Sequence, residues 1–509
     1  MSEPYDLLVV GGGINGVAIA RDAAGRGLKV LLCEKGDLAG ATSSASSKLV
    51  HGGLRYLEHG DFRLVRESLA EREVLLRMAP HLVRPMSFVL PQGPGSRPRW
   101  LVRAGLFLYD RIGGARSLPG ARALDLRDDV LGKPLRAPGT GFVYADCRVD
   151  DARLTVTTAR DAADRGAIIL TRTALLSAQR ARDVWRATVQ STNGAAHEIT
   201  TRVLVNAAGP WVADVLHRAG LTGQKALRLV KGSHIVVPRL YDGEEAYLLQ
   251  NDDRRIVFVI PFESDFSLLG TTELPFEGDP ATAAITEEEI AYLCRAVARW
   301  FAIPPRREDV VWHYAGVRPL YEDRARSASA VTRDYVFDLD TTEAPALSIY
   351  GGKLTTHRRL AEHALELLAP HLPKTGPAWT ARSLLPGGEH PPIGGVALLA
   401  RELARDHPAL DLATAERLAR SYGTKARQIL CGPPGQHFGH GLYETELHWL
   451  VDKEWARTTE DVLWRRTKLG LLFTSDEAKR LAAFLARLTP PAVSREPATS
   501  APAGQTTYR

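Results

Sequence analysis

Cysteine is scarce in this chain. Cys33, Cys147, Cys294 and Cys431 are scattered through 509 residues, with no C-x-x-C pair and no His–Cys spacing. This argues against a disulfide framework or structural zinc and for a reducing compartment, so no metal site is expected. Long apolar runs are missing as well: none approaches the roughly 20 residues of a membrane-spanning helix. The apolar run at Leu7 is short and follows acidic residues, so no secretory leader is expected. No internal repeat is evident. Neither sign of charge dominates, with 65 Lys and Arg against 59 Asp and Glu, a net +6. So mild an excess suits anionic lipid, an anionic substrate or nucleic acid and decides nothing. A hydrophobic content of 45% excludes wholesale disorder. The length exceeds what one core supports, so two or three domains are expected.

What is present begins at the N-terminus. Asp6 to Val10 reads as a buried parallel strand, and Gly11, Gly13 and Gly16 follow at G-x-G-x-x-G spacing. A small-residue helix from Val17 to Arg26 comes next, then a second strand from Leu28 to Cys33 that delivers Glu34. The first glycine permits the turn, the second lets backbone approach a pyrophosphate, and the third lets helix pack on strand. Free N–H groups at the helix start, at Ile14 and Asn15, suit phosphates, and an acid at position 34 suits ribose hydroxyls. An acid there favours NAD or FAD over NADP.

Further on, Thr42, Ser43, Ser46, Ser47, Lys48 and Leu49 form a hydroxyl-rich stretch that could hold a second part of a long cofactor. Asp61 to Met78 is an amphipathic helix. Gly95 to Gly113 interleaves Arg97, Arg99, Arg103 and Arg111 with Trp100, Leu106, Phe107 and Tyr109. That composition fits an interfacial membrane helix or a core-facing helix with a basic outer side. The strand Val203 to Asn206 ends in Ala207, Ala208, Gly209, Pro210 and Trp211, shaped for close approach to a ligand. From Leu229 to Leu274 the period becomes that of strands, and with Met86–Pro91 and Ala330–Asp338 these predict an antiparallel sheet. Leu347–Tyr350, then Gly351, Gly352, Lys353, Leu354 and Thr355 and a helix through Leu368, again aim a helix N-terminus at a ligand. Residues 370–392 read as a linker, everything beyond as helical, and the tail from Pro490 as disordered. Ala415 to Ile429, with Gly423 in a turn, has helix-turn-helix spacing, a pattern common in plain helical bundles.

Taken together, Gly11-Gly-Gly-Ile-Asn-Gly16, Ala41-Thr-Ser-Ser-Ala-Ser-Ser-Lys-Leu49, His51-Gly-Gly-Leu-Arg-Tyr-Leu-Glu58, Lys231-Gly-Ser-His-Ile-Val-Val-Pro238, Gly316-Val-Arg-Pro319 and Gly351-Gly-Lys-Leu-Thr-Thr356 resemble the FAD-dependent sn-glycerol-3-phosphate dehydrogenase family, in its bacterial aerobic respiratory form. The resemblance runs from residue 5 to about 475. It departs at Ala207-Ala208, where Ala-Thr is common, and at His357, where tyrosine is common.

The resemblance implies an α/β protein: a Rossmann-like FAD-binding domain, an antiparallel-sheet substrate domain and a helical C-terminal domain. The expected FAD-binding segments are 1–80, 141–228 and 341–369; a cap region spans 81–140, the substrate domain 229–340, the helical domain 393–489 and the tail 490–509. It also implies oxidation of glycerol 3-phosphate to dihydroxyacetone phosphate, electron delivery to membrane quinone, peripheral attachment to the cytoplasmic face of the membrane with its anionic lipid, and a homodimer. A glycerol-3-phosphate oxidase, a flavoprotein amine oxidase and, remotely, a DNA-binding regulator are the alternatives; no nucleic acid is expected. Gly11, Gly13, Ile14, Asn15, Gly16, Glu34, Lys35, Thr42, Ser43, Ser46, Ser47, Lys48, Leu49, Ala208, Gly209, Trp211, Gly352, Lys353, Leu354 and Thr355 would hold the flavin nucleotide.

A phosphate dianion wants arginine or lysine, and Arg55, Lys231, Arg318 and Lys353 lie on four motif stretches that could converge. Removing hydride from C2 requires an acceptor for the hydroxyl proton. His234 has a suitable ordinary pKa, while Arg318 could instead polarise the alkoxide with water carrying the proton. Tyr56 and Thr355 are candidates for hydroxyl contacts, and Lys353 could stabilise charge on reduced flavin.

Overall fold

A computed structural model describes residues 3–114, 116–223, 227–253, 255–321, 334–389 and 394–488. Two large sheets stand side by side, with helices packed on each. In the first, strands run in the order Val336–Asp340, Ala346–Tyr350, Ala196–Asn206, Tyr5–Val10, Val30–Cys33 and Ile168–Leu170. All but the first are parallel, and Leu8 sits opposite Leu204 on one side and Leu31 on the other. Burial on both faces explains the unbroken apolar runs. Leu7, Val9, Leu32 and Val205 pack beneath the helices Ile14–Gly25, Asp151–Asp164 and His357–Leu368, while Leu8, Val10, Leu31 and Leu204 face Trp185 on the other side. Each such side chain contributes about 1.5–3 kcal/mol relative to exposure.

The second sheet is centred on Leu227–Pro238, which pairs antiparallel with both Trp312–Tyr321 and Phe266–Gly270. It continues through Ile256–Phe262, Ala246–Gln250, Val83–Pro91 and Thr140–Val149 to Leu49–Val50. One pair, Ala246–Gln250 with Val83–Pro91, is parallel. Helices Phe62–Met78 and Arg99–Ile112 cover one face through Val65, Leu69, Val102 and Leu106, and helix Glu287–Ala298 covers the other through Ile290 and Leu293.

Several expectations are corrected. Val336–Asp340 pairs with Ala346–Tyr350, and so extends the nucleotide sheet instead of the substrate sheet; positions 330–333 of the expected strand lie outside the described residues. Thr140–Val149 joins the substrate sheet beside Val83–Pro91 and is not part of a flavin segment. The C-terminal region carries a small hairpin, His437–Gly439 with Leu442–Tyr443, among its helices. Its helix-turn-helix candidate fails on length: Leu412–Tyr422 is followed only by the four-residue Ala426–Ile429. Arg417 and Tyr422 of the first helix both bond Glu446 internally. The tail 490–509 and residues 390–392 lie outside the described residues.

The C-terminal helices are bound to the nucleotide domain by buried ion pairs. Arg466, fully buried, forks onto Asp37 at 2.7 and 2.8 Å, and Arg153 pairs with Glu454. Residues expected to form a plain linker are strapped down: Trp379 donates to the Asp22 carbonyl and Leu385 is fully buried. No helix of the described residues is long and apolar enough to cross a membrane.

Candidate active site

Where the parallel strands Tyr5–Val10, Val30–Cys33 and Ala196–Asn206 end, a cavity of about 1440 Å³ opens and runs under Trp312–Tyr321. Carboxyl ends of parallel strands are the usual ligand site in such sheets, and the volume exceeds the ~300–1,000 Å³ that suffices for one small molecule. It has room for a dinucleotide and a substrate together.

At the nucleotide end, Gly11 has φ +118°, and a Cβ there would lie 2.5 Å from the Ala207 carbonyl oxygen. Gly16 lies behind the wall as a packing glycine, where a Cβ would meet the Gly11 oxygen at 2.0 Å. Ser43 Oγ accepts from the Ile14 N–H at 2.9 Å and so ties the hydroxyl-rich stretch to the helix start. Glu34 accepts from the N–H groups of Gly12 and Gly36, both at 2.7 Å. Burial raises its pKa against those two bonds, and each oxygen keeps a lone pair for a hydroxyl. Asn15 donates to the Gly351 carbonyl at 3.2 Å, while its buried Oδ1 has no hydrogen-bond partner. The glycine turn, the acid and this orphaned amide oxygen suit a flavin dinucleotide. Gly13, Ile14, Lys35, Thr42, Ser46, Ser47, Leu49, Ala208, Gly209, Trp211, Gly352 and Leu354 all line the cavity. Lys35 stacks on Trp211, its Nζ 3.6 Å from the ring centre.

Elsewhere on the cavity wall, Arg318 lies 3.5 Å from Glu273, and both face the cavity. Lys353 Nζ stands 3.9 Å above the Tyr56 ring, also at the wall. Thr355 and His51 join them, linked through the His51 N–H donating to Thr355 Oγ1 at 3.3 Å. Gly352, at φ +98°, lets the chain pass Asn15, since a Cβ would fall 2.7 Å from its amide nitrogen.

Three expected residues face elsewhere. Lys231 is buried against Glu289 at 2.9 Å and the Ala284 carbonyl at 2.8 Å, outside the cavity wall. Lys48 is spent on Asp151 at 2.8 Å, an ion pair that fixes Ser46 beside it. His234 sits one layer back, with Nε2 2.9 Å from Ser47 Oγ and its ring stacked on Tyr314 at 4.9 Å. Burial, with Arg318 and Lys48 nearby, pushes its pKa well below the ordinary value, so it is neutral. The side chain of Arg55 lies outside the described residues.

Other wall residues were not assigned from sequence. His51 stood in a quoted motif but carried no role. Glu273 and Thr271 had no signal. Glu460, Trp464 and Arg465 arrive from the C-terminal domain, with Trp464 stacked on Trp312 at 4.4 Å. No local pattern announces a contact made across so long a stretch of chain.

The FAD dependent oxidoreductase family matches residues 6–358, and the C-terminal domain of alpha-glycerophosphate oxidase matches 378–494. The chain belongs to the FAD-dependent oxidoreductase family. Its cofactor is FAD. It is 51% identical over 497 residues to a glycerol-3-phosphate dehydrogenase of Pseudomonas aeruginosa, covering 95% of this chain and 96% of the relative. It is 50% identical over 493 residues to a D-erythritol 1-phosphate dehydrogenase of Brucella abortus, covering 95% and 98%. The glycerol-3-phosphate dehydrogenase from Bacillus halodurans, solved with FAD, superposes with a TM-score of 0.73 at 26% identity, over 97% of this chain and 96% of that one.

Proposed function

We propose that the chain oxidises sn-glycerol 3-phosphate to dihydroxyacetone phosphate and delivers the electrons to a membrane quinone. The observation carrying this reading is the convergence of Arg318, Lys353, Tyr56 and His51 on the wall of the cavity that also holds the dinucleotide cradle. Bound FAD supplies a two-electron acceptor for the C2 hydride. Arg318 and Lys353 seat the phosphate and the developing alkoxide as fixed cations. His51 is the imidazole in the wall, and we assign it the C2 hydroxyl proton; neutral His234 holds Ser47 from behind. The same cations would seat another phosphorylated polyol, and the relative named for D-erythritol 1-phosphate makes that the second reading.

The acceptor is inferred from the cavity's other arm, which reaches Leu101 and Leu108 on helix Arg99–Ile112. That helix buries Val102, Leu106 and Tyr109, yet leaves Trp100 71% and Phe107 58% exposed among its arginines. Such a face suits the surface of an anionic membrane on the cytoplasmic side, with quinone entering beside it. Replacing Trp100 and Phe107 by serine is expected to abolish binding to anionic vesicles; Leu106 belongs to the core and is left alone. Unaltered binding would retire the membrane face.

Anaerobic titration of the purified protein tests the reaction. Glycerol 3-phosphate is expected to bleach the visible flavin spectrum, and faster than D-erythritol 1-phosphate. A flavin spectrum indifferent to both would return the substrate assignment to amines.

A further inference from the structure

Behind the Ser46–Lys48 turn lies a second cavity of about 670 Å³, between the substrate sheet and the C-terminal helices. Ser46 and Ser47 line the first cavity and Lys48 lines the second, so the two share a wall. Arg84 and Arg148 enter it from adjacent strands, directly opposite each other in register, and Arg420 enters from helix Leu412–Tyr422. Like charges placed opposite on a sheet repel. No hydrogen bond or ion pair joins the Arg84 guanidinium to any described residue, and its Nε is buried without a partner. Arg148 reaches only Glu244, at 3.7 Å, whose side chain is 74% exposed. Of the carboxylates lining the cavity, Asp150 is committed to Lys468 and to capping the helix it precedes, Glu416 to Arg420 at 3.0 Å and Asp411 to the Thr414 N–H, while Asp265 also lines it. Glu263 lines the same cavity without an ion pair to Arg84 or Arg148. Burial, then Arg148 and Arg420, push the Arg84 guanidinium down to about 9 against the nearby carboxylates of Glu263 and Glu244.

We propose that this cavity binds a small phosphate-bearing anion, held by Arg84, Arg148 and Arg420, that bridges the substrate sheet and the C-terminal helices. A dianion among the three guanidiniums turns mutual repulsion into charge-assisted hydrogen bonds. The site is independent of the one that binds substrate.

The test is calorimetric titration of the flavin-loaded full chain with inorganic phosphate, with flavin absorption followed in parallel. Phosphate entering the first cavity perturbs the flavin; phosphate among the arginines does not. Wild type is expected to show a flavin-silent site. Arg84→Gln should weaken that site about tenfold or more while leaving turnover unchanged. Arg420→Gln should weaken it likewise and serves if Arg84→Gln does not fold. Tighter binding of β-glycerophosphate than of phosphate would mark the ligand as an ester, and equal binding as free phosphate. Absence of a flavin-silent site, or equal affinity in wild type and both variants, overturns the proposal. Absence of any flavin perturbation would instead count against the substrate reading alone.

Discussion

Lys353 and Lys231 both stand on glycine-containing motifs beside the flavin cavity, and they do opposite things. Lys353 faces the cavity over Tyr56, whereas Lys231 turns through its sheet to Glu289. The difference follows from the elements that carry them. Lys353 leaves a strand end through two glycines at positive φ, so backbone geometry delivers it. Lys231 lies within a strand paired on both sides, where alternation alone chooses the face, and the buried carboxylate of Glu289 claims it. The nucleotide turn is governed by backbone, and the substrate sheet by side-chain direction.

The largest effect is expected where backbone governs. Gly11→Ala would drive a methyl into the Ala207 carbonyl from a φ that L-residues avoid, and the Asn206–Ala208 strand end must shift. The FAD affinity of the variant, read by titrating its apoprotein, should fall about 100-fold, some 3 kcal/mol. An unchanged affinity would show that the turn tolerates what its geometry forbids. In the substrate sheet the comparison is sharpened by a pair of variants. Lys231→Met leaves Glu289 buried without its cation and should cost about 3–5 kcal/mol in denaturant stability, with kcat/KM of the folded enzyme nearly unchanged. Arg318→Ala should do the reverse, lowering kcat/KM by about 2–5 kcal/mol with little change in stability. If both variants shifted stability alone, Arg318 would leave the site.

This contrast also explains what the sequence disclosed. The first strand, glycine turn, helix, second strand and Glu34 were legible because each is fixed by residues within a few positions of it. The loop Thr42–Leu49 was legible as a stretch that lines the cavity, but not the direction of Lys48, which depends on Asp151, a residue about 100 positions away. Val336–Asp340 was given to the wrong sheet because alternation identifies a strand and not its partner. His234 looked like a base because its ordinary pKa is suitable; burial behind Ser47 lowers its proton affinity and removes its access. Trp464 could not be found at all, since it reaches Trp312 only once the C-terminal domain has docked.

His357, at the start of the helix behind Lys353, gives the smallest and most selective test. Its ring is 1% exposed and Nδ1 lies 2.7 Å from the Leu354 carbonyl, so it is a donor to that oxygen. Burial pushes its pKa down to about 4, against that bond, from an unfolded value near 6.5. In this window the unfolded chain binds the proton and the folded one does not, so folding loses stability as pH falls from about 6.5 towards 4. The contribution is complete above 6.5, and about 2 kcal/mol of it should be gone by pH 5. Many carboxylates titrate in the same range, so the wild-type slope alone is uninformative. His357→Gln keeps a donor for Leu354 and removes only the titration, so its denaturant midpoint should fall less steeply between pH 7 and 5. Parallel slopes would mean that the helix start opens to admit the proton. The helix N-terminus behind Lys353 would then be a flexible support for the cavity wall and not a fixed one.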